Sequence, residues 1–147
     1  MVSSDGEYSS THGLSLNLLR LQADAIGIPI IQTRTSWQTH ENEFKKTILS
    51  LKKVNINAGV FGDIDLQGHR DWVERVCREV TIKPILPLWE MKREEILLEF
   101  INSNFKALVC AVKASVLGKE WLGREINEEF IKDLKNLNVD ICGENGE

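Results

Sequence analysis

Residues able to do chemistry are concentrated between positions 62 and 70, directly after a short apolar run. They comprise two carboxylates, an amide, an imidazole and a guanidinium, with two glycines among them: Gly62, Asp63, Asp65, Gln67, Gly68, His69 and Arg70. In open α/β sheets, ligands bind in the crevice at the carboxyl ends of the strands. Since these side chains follow a predicted strand, their types and spacing predict a site for a polar ligand.

The apolar run before this group, Ala58-Gly59-Val60-Phe61, is typical of a buried strand. A helical pattern begins at Asp71, with apolar residues recurring on one face: Trp72, Val73, Val76, Cys77 and Val80. This face would pack on the sheet, and the first turn of the helix would face the crevice. Because the start of a helix presents unpaired N–H groups, a phosphate or carboxylate ligand is expected there.

Each of these polar residues also has an ordinary structural explanation. Asp63 or Asp65 can cap the following helix, and Arg70 can form a surface ion pair. For any one residue alone we favour that explanation. For the group as a unit we favour a site.

A second polar loop, Thr33 to Glu43, follows another predicted strand and is a second candidate site. It contains His40, for which the sequence identifies no fixed partner, so a solvated loop histidine is the favoured interpretation. Farther along, Trp121-Leu122-Gly123-Arg124 places a guanidinium beside a glycine. Arg124 can therefore approach a carboxylate or phosphate closely, while Trp121 can equally fill the core.

The composition is that of an ordinary soluble domain. The 147 residues are 42% apolar and 27% charged, with a net charge of −4. Basic residues are scattered rather than aligned, so we expect no nucleic-acid partner. No apolar run is long enough to cross a bilayer, and residues 1–10 do not resemble a signal peptide, so we expect a cytoplasmic protein without membrane contact. The three cysteines are far apart, which predicts neither a disulfide framework nor a metal site.

Strand and helix patterns alternate along residues 2–112. Helices are predicted at 16–26 with Ser15 as cap and Gly27 as end, at 44–51, from 71 and at 94–100, and a further helix follows Asn127. Strands are predicted at 28–32, 58–61 and 105–112. The run 83–89, which two prolines interrupt, is predicted to be a short or edge strand or an extended crossing segment. The alternation predicts an α/β fold with a mainly parallel sheet and helices on both faces. Cys77 and Cys110 lie in apolar patterns and are expected to be buried.

Four segments together resemble the diphthine–ammonia ligase family of N-type ATP pyrophosphatases. They are residues 62–77, Leu86-Pro87-Leu88-Trp89, Trp121-Leu122-Gly123-Arg124 and the closing Cys-Gly-Glu-Asn-Gly-Glu, in the family's order. The resemblance implies a Rossmann-like, adenine nucleotide alpha hydrolase-like fold. A nucleotide-binding portion would cover residues 1–112, and 113–147 would begin a substrate-binding portion. In eukaryotic and archaeal members, the reaction is ATP-dependent amidation of diphthine on elongation factor 2, the last step of diphthamide biosynthesis.

The resemblance also implies roles for individual residues. ATP with Mg²⁺ would activate a carboxylate, and ammonia would then displace AMP to leave an amide. Catalysis would fall to residues of the closing segment, which composition alone would describe as a frayed tail: Glu144, Asn145 and Glu147. Substrate or nucleotide binding would fall to Gly62, Asp63, Gln67, His69, Arg70, Trp121, Gly123, Arg124 and Gly143. Among these, Arg70 and Arg124 are expected to bind anionic groups, and Glu144 with Asn145 to position ammonia or substrate.

Two features depart from the family's pattern. First, the family's phosphate-binding loop Ser-Gly-Gly-Lys-Asp-Ser has no match, since Ser4-Asp5-Gly6 lacks the paired glycines and the lysine. Second, the chain stops before a further strand that family members carry. The sequence therefore predicts a truncated ligase, active on a small-molecule or protein carboxylate such as diphthine once the loop is supplied. The alternative is a non-catalytic remnant or small-ligand-binding module. A missing first strand would leave an unpaired sheet edge, which predicts dimerisation or poor solubility.

Overall fold

The computed structural model describes residues 1–3, 6–10 and 13–145 of the chain. The chain divides into two compact units. The first comprises Met1–Gly59 and Val73–Pro84, and the second comprises Val60–Trp72 and Ile85–Glu147. The domain boundary expected after residue 112 stays a prediction. Among the described residues, no helix has both the length and the hydrophobicity that crossing a bilayer requires.

Two helices open the first unit. α1, Leu16–Ile26, begins where the Ser15 hydroxyl accepts a hydrogen bond from the Leu18 N–H at 3.3 Å. It ends at Gly27, whose φ of 75° is a left-handed conformation that glycine adopts without strain. α2, His40–Lys52, includes the last four residues of the predicted polar loop, Thr33 to Glu43, so His40 is a helical residue and the prediction of a loop histidine is wrong. The helix starts earlier than its apolar residues suggested. Both predicted helices are therefore confirmed.

α3, Gln67–Glu79, begins at Gln67 rather than at the predicted Asp71. The polar residues from Gln67 to Arg70 consequently lie in the first turn of the helix and not in the loop before it. The predicted apolar face is confirmed, since its later members are buried in the first unit: Val73, Val76, Cys77 and the following Val80.

The sheet that the described residues form has two short parallel strands. They are β1, Ala58–Val60, and β2, Lys83–Ile85, and the Phe61 N–H donates to the Ile85 carbonyl at 2.9 Å just past the end of β1. The α/β class and the parallel pairing are confirmed. The larger sheet that the sequence predicted is not formed.

Two predicted strands are absent from this sheet. Residues 28–32 have no regular secondary structure and are largely exposed, and pairing begins only at Arg34, which forms an isolated parallel bridge with Val2. Residues 105–112 form no regular strand, and Leu108 makes an antiparallel bridge with Glu125 instead. Both strand predictions are wrong. An apolar run becomes a strand only where another strand supplies its hydrogen bonds, and the described chain supplies no ladder at these positions.

The core of the second unit lies around Trp121, the last residue of a short 3₁₀ helix, Lys119–Trp121. The indole is 7% exposed and packs edge-on against the Phe130 ring, with 5.7 Å between ring centroids. Leu117 and Leu134 complete the buried cluster. The Trp121 side chain therefore fills the core of this unit.

Two helices of the second unit contact one another: α4, Arg93–Asn102, and α5, Glu128–Asn136. α5 begins where the Asn127 side-chain oxygen accepts a hydrogen bond from the Phe130 N–H at 2.9 Å. Both helices and the Asn127 cap confirm the sequence prediction.

The cysteines differ in burial. Cys77 is completely buried, which confirms its prediction. Cys110 is exposed, so its predicted burial is wrong. The physical reason is that the run 105–112 is no buried strand, and of its residues Val109 and Val112 are the ones that pack against the Trp121 cluster.

Candidate functional site

The loop after β1 pairs a carboxylate with an imidazole in the first turn of α3. Oδ1 of Asp63 lies 3.2 Å from Nδ1 of His69. The Asp63 side chain is 21% exposed and the imidazole is 62% exposed, so the pair is open to a ligand on the imidazole side. A carboxylate at this distance favours the tautomer with hydrogen on Nδ1, which leaves Nε2 able to accept a proton.

Arg93, the first residue of α4, joins the same loop to the end of the chain. Its Nε and Nη2 donate to the two carboxylate oxygens of Asp65 at 2.9 and 2.6 Å. Its Nη1 forms an ion pair with Asp140. The hydrogen bonds from Arg93 hold the pKa of Asp65 below its usual value. Because a guanidinium has fixed planar geometry, this residue sets the position of one carboxylate against the other.

Arg93 is not among the residues that the sequence predicts for the site. Its Asp65 partner lies 28 positions earlier, and Asp140 is still farther away in the other direction. No spacing rule or helical periodicity connects residues so distant, and a basic residue at the start of an amphipathic helix is ordinary. The signal that identifies it is the three-dimensional contact alone.

Asp140 organises the closing segment of the chain. Its Oδ1 accepts from the Cys142 N–H at 3.1 Å, and its Oδ2 accepts from the Asn145 N–H at 3.2 Å. Burial, which leaves 4% of the side chain exposed, favours a higher pKa of Asp140. The donors from Cys142, Arg93 and Asn145 outweigh burial, so the pKa lies below its usual value. Residues 140–145, which we call the closing turn, are thus ordered around an ionised carboxylate rather than frayed.

Glu144 lies half-buried in this turn, beside Gly143, which has a left-handed φ of 69°. Burial is the largest cause of the raised pKa of the Glu144 carboxyl. The charge of Arg93 opposes the rise, whereas three neighbouring carboxylates add to it: Asp63, Asp65 and Asp140. We call these four carboxyl groups and Arg93 the acidic cluster. Its excess of negative charge favours a cation over an anion.

The Cys142 thiol lies in the same surroundings, but it is not activated as a nucleophile. Burial first, and then the charges of Asp140 and Glu144, raise the pKa of Cys142 to about 11. The thiol accordingly stays protonated at neutral pH, and its Sγ donates to the Arg93 carbonyl at 3.5 Å. A protonated thiol is a poor nucleophile, and the catalytic role predicted for Glu144 stays a prediction.

The segment after β2 lies against the loop after β1, since the Glu90 N–H donates to the Ile64 carbonyl at 2.8 Å. Beside it, the Arg70 guanidinium stacks over the Trp89 ring, 4.8 Å from its centroid. The Trp89 Nε1 is buried, and the described residues offer it no hydrogen-bond acceptor. It is therefore a buried donor that lacks a partner among the described residues.

Arg124 belongs to a different group of side chains. Its Nη2 donates to Asp133 at 2.7 Å, and its guanidinium stacks over Trp121 at 4.3 Å and Phe130 at 5.9 Å from the ring centroids. Among the described residues, no polar contact connects Arg124 to the acidic cluster. Ile141, just before the closing segment, packs against the Trp121 cluster.

The remaining predicted residues have varied surroundings. The Gln67 Nε2 donates to Asp71 at 2.7 Å, within α3. Gly62 follows β1 in open space, where a Cβ would meet no atom within 4 Å. Gly123 has a φ of 81°, so its left-handed turn accounts for glycine there. Asn145 is exposed. Glu147 lies outside the described residues, and its predicted catalytic role stays a prediction.

The acidic cluster does not fit a metal ion of its own. Over residues 1–3, 6–10 and 13–145, no three His, Cys, Asp or Glu side chains are arranged to hold one. Asp65 and Asp140 are occupied by Arg93, and Asp63 is occupied by His69.

A separate cavity of about 310 Å³ lies in the first unit. Most of its lining comes from the polar loop predicted as a second candidate site: Ser3, Ser10, Thr35, Ser36, Trp37, Gln38 and His40. Thr35 is buried and donates to the Ser36 carbonyl at 3.0 Å, whereas Trp37 is 88% exposed. The cavity thus combines hydroxyl groups with an open indole face, which suits a polar ligand with a planar ring.

Comparison with known families covers nearly all of the chain. Residues 1–84 match the family model described as the diphthamide synthase N-terminal domain. Residues 92–147 match the model described as the diphthamide synthase C-terminal domain. The first of these matches alone covers more than half of the chain, and the acidic cluster draws residues from the stretches that both models match.

Curated relatives agree with the family models. The chain is 26% identical over 144 residues to a diphthine–ammonia ligase of Bos taurus, covering 95% of this chain and 54% of the relative. It is 28% identical over 144 residues to that of Rattus norvegicus, with the same coverage. For Schizosaccharomyces pombe, the values are 27% over 138 residues, covering 88% of this chain and 23% of the relative. The chain thus spans about half the length of the mammalian relatives, at 54%.

Proposed function

The chain belongs to the diphthamide synthase family, and from that premise we propose that it acts in ATP-dependent amide formation between a carboxylate and ammonia. The relatives named diphthine–ammonia ligases support the ligase class. The acceptor proposed here is a carboxylate of the diphthine type, carried by a small molecule or by a protein.

The observation that carries the proposal is the gathering of the post-β1 loop and the closing turn around Arg93. Asp63 and Asp65 come from the loop, and Asp140 and Glu144 come from the turn. The excess negative charge supports binding of an ammonium ion, the form in which ammonia is abundant at neutral pH. The same charge disfavours a free anion at this place.

Glu144 is the proposed base for the ammonium ion. When a proton moves from the ammonium nitrogen to the Glu144 carboxylate, one N–H bond breaks and one O–H bond forms. The nitrogen lone pair is then available to attack the activated carbonyl carbon. Burial and neighbouring carboxylates raise the pKa of Glu144, which makes its carboxylate a stronger base than an ordinary one.

After the attack, the nitrogen carries a proton that it must lose before the amide is neutral. The Asp63–His69 pair supports a second proton transfer, because the pairing at Nδ1 leaves Nε2 of His69 able to take that proton. Since the imidazole is 62% exposed, the proton can then pass to solvent.

ATP would supply the activation of the acceptor: a carboxylate oxygen would bond to the α-phosphorus as pyrophosphate leaves, and that oxygen would depart with AMP when ammonia attacks. Two features support nucleotide or acceptor binding by this chain. The Arg70 guanidinium, which stacks over the Trp89 ring, offers positive charge to an anionic group. The cavity beside Trp37 offers an indole face and hydroxyl groups to a nucleoside.

A label-transfer assay tests the proposal. The protein is incubated with Mg-ATP, ¹⁵N-ammonium and elongation factor 2 carrying diphthine, and mass spectrometry follows the acceptor peptide. We expect ATP-dependent appearance of one labelled amide. Glu144→Gln should slow the reaction by about 100-fold or more, as loss of a general base does. Glu129→Gln, an exposed carboxylate on α5, is the matched control and should react at the normal rate.

Absence of labelled amide at any ATP concentration would refute the ligase proposal for this chain. AMP binding without turnover, seen by calorimetry, would instead favour the small-ligand-binding module. Equal rates of amide formation by the wild type and Glu144→Gln would support the ligase proposal but contradict the role of Glu144 as its base.

A further inference from the structure

Among the described residues, two side-chain contacts join the closing turn to Arg93 of α4: the ion pair between Asp140 and the guanidinium, and the hydrogen bond from Cys142 Sγ to the Arg93 carbonyl. Asp140 also accepts the N–H groups of Cys142 and Asn145, which flank Glu144. The position of the Glu144 carboxyl therefore depends on where Asp140 is held. Asp140 is 4% exposed at its side chain, so the ion pair is shielded from water.

The other side of the same guanidinium fixes the loop after β1. Arg93 binds the Asp65 carboxylate with two nitrogens, Nε and Nη2, and its third nitrogen, Nη1, pairs with Asp140. Arg93 thus binds the two carboxylates with different edges of one rigid plane, and neither carboxylate displaces the other. The Arg93 side chain is 21% exposed, compared with 46% for Arg75, which pairs with Glu41 and Glu79 in the first unit.

We propose that Arg93 is a positioning residue that acts through Asp140 to hold Glu144 against the post-β1 loop. For its effect on amide formation, the inference rests on the function proposed above. Its structural part, the coupling of the closing turn to Asp65, stands independently of that function.

The positioning also has an electrostatic component. The charged and titratable groups around Glu144 are Asp63 and Asp65 of the loop, Asp140 of its own turn and Arg93 of α4. His69 of α3 and the protonated Cys142 thiol adjoin them. The charge of Arg93 lowers the pKa of Glu144. Removing its charge should therefore raise the titration midpoint of Glu144, whereas losing only its planar shape should change the midpoint less.

Three variants separate charge from geometry. Arg93→Ala removes both the charge and the planar group, whereas Arg93→Lys keeps the charge but loses the planar guanidinium. Asp65→Asn weakens the contact between Arg93 and the loop after β1 without replacing any residue of α4 or of the closing turn. Hydrogen exchange of the Cys142 and Asn145 amides reports the order of the turn, and carbon NMR of the Glu144 carboxyl reports its titration. The matched control is Arg75→Ala, which removes an arginine from two carboxylates elsewhere.

We expect both amides to exchange about tenfold faster in Arg93→Ala, since a charge-assisted anchor is lost. Arg93→Lys should also speed exchange but leave the Glu144 midpoint close to that of the wild type, and Asp65→Asn should give an intermediate exchange rate. Arg75→Ala should leave both readouts unchanged. Unchanged exchange in Arg93→Lys and Asp65→Asn would overturn the inference, and it does so even if Arg93→Ala fails to fold.

The label-transfer assay distinguishes the failure of this inference from the failure of the ligase proposal. If the wild type forms no amide while Arg93→Lys still loosens the turn, the ligase proposal fails and the positioning role stands. If Arg93→Lys forms amide at the wild-type rate with unchanged exchange, the positioning role fails and the ligase proposal stands.

Discussion

At the scale of single residues, the two acids of the closing turn are driven in opposite directions by the same surroundings. Glu144 is desolvated among other carboxylates, so its neutral form is favoured. Asp140 is also desolvated, but backbone donors and Arg93 favour its ionised form. Such a pair with separated pKa values is the arrangement in which one group holds structure and the other exchanges protons.

Glu144→Gln should change the pH dependence of stability. A raised pKa means that the stability contribution of Glu144 is present below the ordinary carboxyl pKa and is lost as pH rises through the raised pKa. Glutamine does not ionise, so the free energy of unfolding of the variant should increase relative to the wild type as pH rises through this window. Urea unfolding between about pH 4 and pH 8 measures it. Parallel pH curves for the two proteins would contradict the placement of Glu144.

Asp140→Asn should show the opposite dependence. Because the pKa of Asp140 is lowered, its contribution is present above the ordinary carboxyl pKa and is lost as pH falls through the lowered value. At neutral pH we expect the variant to lose about 2 kcal/mol of unfolding free energy, the size of a charge-assisted hydrogen bond. The loss should shrink in acid. A loss that does not depend on pH would indicate a packing defect instead.

Arg124→Ala should lower stability rather than act through the acidic cluster. The side chain forms an ion pair with Asp133 and stacks on Trp121 and Phe130, so we expect a loss of about 1 kcal/mol. Asp133→Asn, which keeps the ring contacts, should lose less. Calorimetry of ATP or AMP binding supplies the second readout, and we expect the same nucleotide affinity for Arg124→Ala and the wild type. Weaker nucleotide binding by the variant would instead support the predicted role of Arg124 as a ligand-binding residue.

Residue types and spacing pointed to the loop that carries Asp63 and Asp65, but not to what connects this loop to the end of the chain. Glu144 was predicted only through the family resemblance of the closing segment, which composition alone described as a frayed tail. Arg93 and the role of Asp140 depend on contacts between distant parts of the chain, which no local pattern encodes.

At the scale of elements, local signals predicted helices better than strands. A helix satisfies its own backbone, so a cap such as Asn127 and a left-handed glycine such as Gly27 define its ends from nearby residues. A strand needs a partner, and the runs at 28–32 and 105–112 find no ladder in the described chain. The polar turn after β1 was correctly placed because it is local, although α3 begins earlier than its apolar face implied.

The Asn127 cap offers an element-scale prediction. Asn127→Ala removes the acceptor for the Phe130 N–H at the start of α5, so we expect a loss of about 1 kcal/mol in the free energy of unfolding. Asn127→Asp keeps an acceptor and should be close to the wild type. Urea denaturation of the three proteins checks this, and an alanine variant as stable as the aspartate variant would contradict the cap.

At the scale of the whole molecule, the first unit carries an exposed apolar strip at the end of α1 and beyond it. Ile26 and Ile28 are 69% and 63% exposed, and Ile31 is 55% exposed. The segment 28–32 joins no strand pair within the described chain, and an apolar segment without a strand partner is prone to association with another strand.

We therefore expect light scattering to show a mass above the 16.7 kDa of one chain, increasing with concentration. The double variant Ile28→Asp, Ile31→Asp should restore the monomer mass. Leu137→Asp, at an exposed position in the second unit, is the control and should leave association unchanged. A wild type that stays monomeric at all concentrations would contradict this expectation.

The most direct measurement of the central claim is the identity of the nucleotide products. Phosphorus NMR of the protein with Mg-ATP, ammonium and diphthine-bearing elongation factor 2 should show AMP and pyrophosphate in equal amounts. Both should depend on the presence of the acceptor. Formation of ADP and phosphate, or no cleavage of ATP, would contradict the assignment of an amide ligase to this chain.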